Sequence, residues 1–429
     1  MSEFPSPPWI ASQRWFRSKQ RPIASVSETD RAPLANGAAL AVVEIGYVDR
    51  GAADRYLLPL VGDREPADGE GAWRAIAQAM ADAATLEGRR GQFVAISTAA
   101  MIGLLTEPID RMVERRLGVE QSNTSVRLGD RLILKLYRLL EPGENPDLEV
   151  SAFLTDAGFA DTPAVAGALV HESDAGTAAA AMLQAFVPST GDAWFAMLDA
   201  LRSDPERAAR MAGDIGDLTA RMHRALASRP DDPAFPARPA TAEETAIWRA
   251  SGERQLAQAV NAVSGDAHAR LVALAPRITA RFADTFGAAS GEAQVSRIHG
   301  DYHLGQLLAR HDGGFSVIDF EGEPARPLAE RREPSSPLRD VVGMLRSLDY
   351  AARTAEAGQH VDGFDAGRWL TDARAALLEA YGGIRVDRQA LLDAFELEKA
   401  CYEVRYEANN RPSWLWLPLA AVERLASSA

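Results

Sequence analysis

The chain has 429 residues, with 46 Lys and Arg against 60 Asp and Glu, and so a formal net charge of −14. At 47% hydrophobic and 25% charged residues it reads as a globular protein of two or three domains, which excludes global disorder. A surface this acidic excludes nucleic acid and anionic membrane as main partners, and a lone cysteine, Cys401, excludes an internal disulfide.

Taken in chain order, residues 1–90 read as a small mixed subdomain. Ala41–Val48 and Tyr56–Val61 are β-like runs around a polar hairpin loop, Asp49–Arg55, and Trp73–Thr85 has helical spacing. The longest apolar stretch, Phe93–Leu105, is too short to span a bilayer, and the N-terminus has no apolar leader, so a soluble cytoplasmic protein is expected. Thr124–Leu128 and Arg131–Tyr137 flank Gly129-Asp130 and read as a β-hairpin. Asn145 as cap, Pro146 at the first helical position and Gly158 as stop predict a helix of about three turns. Ala164–Val170 and Ala179–Phe186 are further strands. These segments form a second subdomain, residues 91–187.

From residue 188 to 429 the pattern turns helical. The periodicity predicts helices over Pro205–Leu226, Thr241–Val263, His268–Phe286, Leu338–Ala355, Phe364–Tyr381 and Arg388–Ala408, interrupted by short strands at Val295–Ile298 and Phe315–Ile318. A β-rich front and an α-rich back make the fold class α+β with two lobes.

The two short strands each lead into a chemically loaded loop. The first runs His299-Gly300-Asp301-Tyr302-His303-Leu304-Gly305-Gln306, the second Asp319-Phe320-Glu321. Asp301 lies five residues before Gln306 and eighteen before Asp319. Transfer of a γ-phosphoryl group needs a carboxylate to orient and deprotonate the attacking hydroxyl, a role that fits Asp301. It also needs Mg²⁺, a hard cation that takes oxygen ligands such as Gln306, Asp319 and Glu321.

This arrangement resembles the catalytic loop and metal-binding Asp-Phe-Gly of protein-kinase-like folds, and its His-Gly-Asp-x-His opening is similar to the aminoglycoside phosphotransferase branch. Gln306 stands where that pattern has Asn, and Glu321 where protein kinases have Gly. The resemblance implies a bilobal protein-kinase-like fold that binds ATP. It further implies a strand lysine on the phosphates, matched by Lys135, and a helix acid to hold it, matched by Glu149. No glycine-rich loop precedes the hairpin. Ser122, Asn123 and Thr124 occupy its place, and Gln184 and Phe186 fall at the expected interlobe connection, against adenine.

A narrower resemblance covers nearly the whole chain. Gln13-Arg14-Trp15-Phe16, Gln121–Ser125, Asn145–Glu149, Gly300–Gln306, Asp319–Pro324, Ser336–Ser347 and Tyr406–Pro412 are similar to bacterial maltokinases, including those fused to trehalose synthase. That resemblance implies an N-terminal cap subdomain and ATP-dependent phosphorylation of maltose to maltose 1-phosphate, which feeds α-glucan synthesis, with trehalose synthase as an associated enzyme. Tyr402, Arg405, Tyr406 and Asn409 share one helix face and suit the faces and hydroxyls of a sugar, with His303 beside Asp301 as a further acceptor contact. Alternatives that stay open are a kinase for another small sugar or amino sugar, such as glucosamine or an aminoglycoside, and a nucleotide-binding partner protein without turnover.

Overall fold

The computed structural model describes residues 5–118, 122–323, 326–358 and 364–427. The chain divides into two compact units: Met1–Pro188 with Ala325–Arg331, and Ser189–Pro324 with Arg332–Ala429.

The first unit opens with α1 (Pro7–Ser12) and an antiparallel meander of β1 (Ile23–Pro33), β2 (Ala38–Tyr47) and β3 (Asp54–Val61). The meander is apolar on both faces, and this is why its strands read as near-continuous hydrophobic runs. Ala41, Val43, Ile45, Tyr56 and Leu58 pack with Ile10, Trp15 and Phe16 on one side. On the other, Leu40, Val42 and Leu57 pack with Trp73, Ile76 and Met80 of α2 (Ala72–Ala81). Strand β1 escapes the sequence reading because it is an edge strand with mostly polar residues, IASVSETDRAP.

A seven-stranded sheet follows. It is built from β4 (Thr85–Glu87), β5 (Gly91–Ser97), β6 (Glu114–Arg116), β7 (Asn123–Leu128), β8 (Leu132–Tyr137), β9 (Val165–Ser173) and β10 (Gly176–Ala185), in the order β4-β5-β9-β10-β8-β7-β6. The apolar stretch Phe93–Leu105 is β5 followed by the short α3 (Ala100–Leu104). The hairpin at Gly129-Asp130 forms as expected, with Leu128 opposite Leu132 and Gly129 at φ +56°. Behind it, α4 (Pro146–Asp156) starts with the Asn145 side chain accepting the N–H groups of Asp147 and Leu148, and beyond its end Gly158 turns left-handed at φ +71°.

The second unit is mainly helical. It begins with β11 (Ser189–Asp192), α5 (Ala193–Ser203), α6 (Pro205–Leu226), β12 (Arg238–Pro239), α7 (Ala242–Ala262) and α8 (Gly265–Ala288). Thr241 and Glu244 close a capping box at the start of α7. Three short strands follow: β13 (Gln294–Val295), β14 (Leu307–Arg310) and β15 (Phe315–Val317). After α9 (Leu328–Arg331), which belongs to the first unit, come α10 (Leu338–Ala357), α11 (Ala366–Ala380), α12 (Val386–Asn410) and α13 (Trp416–Ser427). The expected strand Val295–Ile298 is regular only through Val295; Ser296 leaves β12 and makes a single antiparallel bridge to Ser335 instead. Among the described residues no helix is long and apolar enough to cross a membrane.

Replacing Asn145 by Ala removes the acceptor for two N–H groups and should cost about 1 kcal/mol of stability. The measurement is thermal denaturation of the full chain, where a midpoint lowered by about 2–4 °C is expected.

Candidate active site

The loop that carries Asp301 hangs on one buried carboxylate. Asp340, 1% exposed, accepts the His299 N–H at 2.8 Å on one oxygen and the Gly300 N–H at 2.9 Å on the other. His223 of α6 contacts the same carboxylate through Nε2 at 3.0 Å, while its Nδ1 lies 3.0 Å from the Tyr381 hydroxyl. Burial alone would raise the Asp340 pKa, but the His223 bond, the neighbouring His223 and His299 and the Gly300 N–H outweigh it, and the net shift is downward. The support from Asp340 to the loop is hydrogen bonding to backbone. Arg339 pairs with Glu398, and Arg346 with Glu403 and Asp349.

Helix α10 presents Asp340, Gly343 and Ser347 to this loop, at the i, i+3, i+7 spacing of one helix face. A Cβ at Gly343 would collide with the Tyr302 carbonyl oxygen, and the Ser347 hydroxyl accepts the Leu304 N–H at 3.1 Å. Tyr302 is held from below by the Thr219 hydroxyl at 3.0 Å. Asp301 itself stays half-buried, with 28% of its side chain accessible.

His299 joins this loop to the next one. Its Nε2 lies 3.0 Å from the Ile318 carbonyl oxygen, and its ring packs on Phe320 at 4.9 Å. The β14–β15 hairpin completes the link, since the Ile318 N–H donates to the Gln306 carbonyl at 3.0 Å and so sets Gln306 beside Asp319. Gly300, at φ +84°, leaves room where a Cβ would meet the Gly322 Cα at 3.3 Å. Asp319 holds φ +70°, a left-handed backbone that a non-glycine residue adopts at a cost of about 1–2 kcal/mol. Asp319 and Glu321 bring carboxylate oxygens within 4.8 Å of each other, and Glu321 is buried. These carboxylates are hard oxygen donors of the kind that fits Mg²⁺.

In the first unit, Lys135 is 8% exposed and donates to the Asp147 carboxylate at 2.9 Å. The Tyr137 hydroxyl donates to the same oxygen, also at 2.9 Å. Asp147, an acid the sequence pattern does not single out, meets the Lys135 ammonium two residues before the expected Glu149. Both acids lie in the first turn of α4, where the helix dipole favours negative charge; Asp147 is buried against Lys135 and Glu149 is half-buried. Of the three residues expected as a phosphate-covering loop, Ser122 precedes the sheet, whereas Asn123 and Thr124 are already strand residues of β7. The polar turn expected there thus ends earlier than predicted, because Asn123 pairs with Tyr137 across the ladder. The remainder of that turn, Glu120 and Gln121, lies outside the described residues. Gln184 sits in β10 opposite Ile133, and Phe186 donates its N–H to the Arg131 carbonyl with the Arg127 guanidinium 4.5 Å over its ring.

The residues expected on the acceptor side, His303 apart, lie on α12. Tyr402 and Tyr406 stack at 6.4 Å, with Tyr406 43% exposed, so this aromatic stripe faces outward and is not core. Arg405 lies 5.2 Å over the Tyr402 ring, and Asn409 donates back to the Arg405 carbonyl. The Tyr402 phenol is pushed up to about 12 by burial and by the negative charges of Glu323 and Asp301, which places the stripe within electrostatic reach of the loop. His303 turns its Nδ1 to the Gly305 N–H, with Nε2 4.0 Å from the Asp301 carboxylate; burial lowers its pKa although Asp301 opposes this. Lys399, which the sequence reading passed over, sets its ammonium 4.9 Å over the Tyr402 ring and adds positive charge near His303. Its position one turn before Tyr402 on the same face was the signal available in the sequence.

Residues 113–377 match the phosphotransferase enzyme family, and residues 9–89 match the maltokinase N-terminal cap domain. The chain is 32% identical over 396 residues to a glucosamine kinase of Streptacidiphilus jiangxiensis, covering 87% of this chain and 86% of that one. It is 28% identical over 414 residues to a glucosamine kinase of Mycolicibacterium smegmatis, covering 90% and 98%. A solved glucosamine kinase in complex with glucosamine, ADP and inorganic phosphate matches with a TM-score of 0.74 at 28% identity, over 94% of each chain.

Gly343→Ala should displace the Tyr302 carbonyl and with it Asp301. Misplacement by about 1 Å is enough to cost roughly 10²-fold in rate. The check is kcat against a thermal midpoint: a large fall in kcat beside a modest fall in stability is the expected pair.

Proposed function

Because this chain belongs to the phosphotransferase enzyme family and carries a maltokinase-type cap domain, we propose that it transfers the γ-phosphoryl group of ATP to a hydroxyl of a small neutral sugar, with maltose phosphorylated at its anomeric hydroxyl. Asp301 takes the hydroxyl proton as the sugar oxygen bonds to the γ-phosphorus and the bond to the bridging oxygen of ADP breaks. Lys135, held straight by Asp147, bears on the phosphates. Gln306, Asp319 and Glu321 would hold Mg²⁺, which neutralises phosphate charge when bound. His303, Tyr402, Arg405, Tyr406 and Asn409 orient the acceptor. Product formation in an acidic protein needs only this local set of cations.

The observation that carries the neutral acceptor is the charge on the α12 face. Lys399 and Arg405 lie over Tyr402, while Arg411, 5.6 Å over Tyr406, is neutralised by Glu407. Two cations against the Tyr402 ring disfavour a protonated amine, whereas sugar hydroxyls accept hydrogen bonds from them. A second reading is phosphorylation of glucosamine. It is favoured by full-length relatives that bear that name and by the Glu323 carboxylate near Tyr402, which suits an ammonium group.

Steady-state assays with Mg-ATP over maltose, glucose and glucosamine, with the product's phosphate located by NMR, separate the two. Preference for maltose with phosphate on the anomeric oxygen is the expected outcome; preference for glucosamine selects the second reading. Asp301→Asn should lower kcat by roughly 10²-fold or more while the protein stays folded. Near-normal turnover in that variant would remove Asp301 from the role of base.

A further inference from the structure

Helix α10 has a second polar face besides the one that holds the catalytic loop, and its partners are on α12. Arg346, 1% exposed, donates Nε at 2.9 Å and Nη2 at 2.7 Å to a single oxygen of Glu403, and Nη1 at 2.6 Å to Asp349 of its own helix. One turn further on, the Tyr350 hydroxyl donates to Glu407 at 2.9 Å. Near the start of α10, Arg339 pairs with Glu398 at 3.0 Å. The partners rise together along both helices, 339, 346 and 350 against 398, 403 and 407, so α12 runs parallel to α10 and its height is marked three times. All three acids are buried. A buried acid is expensive unless its partner stays in place, and a slide of α12 along α10 would unpair all three at once.

The roles alternate residue by residue. On α10, Asp340 and Ser347 hold the Asp301 loop, and the residues just before them, Arg339 and Arg346, hold α12. On α12, Glu403 and Glu407 turn inward, and the residues just before them, Tyr402 and Tyr406, form the stacked stripe. The path from the catalytic loop to that stripe is therefore short. Leu304 bonds to Ser347, the next residue back is Arg346, Arg346 bonds to Glu403, and the next residue back is Tyr402.

We propose that Arg346 and Glu403 are positioning residues for the acceptor: their buried bonds set the height and rotation of α12, and so the place of the Tyr402 stripe relative to Asp301. Helix α10 then serves as one ruler for the base and for the surface that presents the hydroxyl to it. Neither residue touches substrate. The inference rests on the acceptor half of the proposed function and holds for whichever sugar is bound.

The test compares Glu403→Asp with Glu403→Gln in the full chain. Both Arg346 bonds end on one oxygen, and Asp349 remains as a second charged contact, so the amide oxygen of Gln can keep them at the same reach. Asp is one methylene shorter and must draw α12 toward α10 or lose the bonds. Steady-state kinetics give kcat and the sugar KM, calorimetry gives Mg-ADP affinity, and thermal denaturation gives stability. Glu403→Asp should raise the sugar KM by roughly tenfold, and Glu403→Gln should leave it within about twofold of wild type. In both, kcat and the ADP dissociation constant should stay within about twofold, because the contacts of Asp340 and Ser347 with the loop are untouched. Tyr350→Phe removes one hydroxyl and keeps the ring, so it carries the test if Glu403→Asp does not fold; a sugar KM raised by roughly threefold is expected. Unchanged KM with a lowered thermal midpoint would make these pairs a structural brace and overturn the proposal. So would an equal loss of ADP affinity, which would mean general loosening. Wild-type protein that phosphorylates glucosamine and not maltose rejects maltose as the acceptor, and the same variants are then read on glucosamine; wild-type protein that phosphorylates no sugar overturns both readings.

Discussion

Asp340 spends its whole carboxylate on the backbone of two consecutive residues and on one imidazole, and the geometry of the catalytic loop follows from that. A loop with two N–H groups turned inward could not stay buried without such an acceptor, since each unpaired donor would cost about 1–3 kcal/mol. Once His299 and Gly300 are held, Asp301 projects from a fixed point. His299 then reaches across to Ile318 and fixes the position from which Asp319 and Glu321 are aimed. Glycines at 300, 322 and 343 are the steric counterpart, each lying where backbones approach closely. The placement of Asp301 and of the Asp319 and Glu321 carboxylates is thus a consequence of one anchored turn.

Much of this was legible in the sequence where residue type and spacing act together. The loops at 299–306 and 319–321 could be read because phosphoryl transfer restricts the side chains that serve it. The helix at Asn145–Gly158 could be read because cap, first-turn proline and stop glycine each have their own stereochemical reason. The anchoring role of Asp340 was not legible, because backbone acceptance leaves no partner to find in the side-chain pattern. The Lys135 contact with Asp147 shows a related limit: the capping pattern places both Asp147 and Glu149 in the first turn of α4 and does not single out Asp147. Strands β1, β11 and β14 were missed because they are polar or very short, and neighbouring strands rather than their own residues make them regular.

The acidic balance of the chain acquires a finer meaning at the site. Net charge describes solubility and long-range partners, but the groups proposed to meet phosphate and acceptor are local: Lys135 in one unit, and Lys399 and Arg405 beside Tyr402 in the other. The carboxylates of Asp301, Asp319 and Glu321 are part of the surplus of 60 acids over 46 bases and are the portion with assigned chemistry. Lys399 and Arg405 each lie over the Tyr402 ring, a contact that holds long side chains in place.

The catalytic loop has a consequence for how the molecule is made. Its fixing contacts come from far along the chain: Asp340 lies some forty residues after it, and His223 and Thr219 about eighty before it. Nothing within the segment 299–306 specifies its inward-turned amides. During synthesis the loop leaves the ribosome before α10 exists, so its active shape forms only after the helical unit has collapsed around it. Chemical competence in this chain is therefore acquired late in folding, and a nascent or partly folded copy carries the motif without the site.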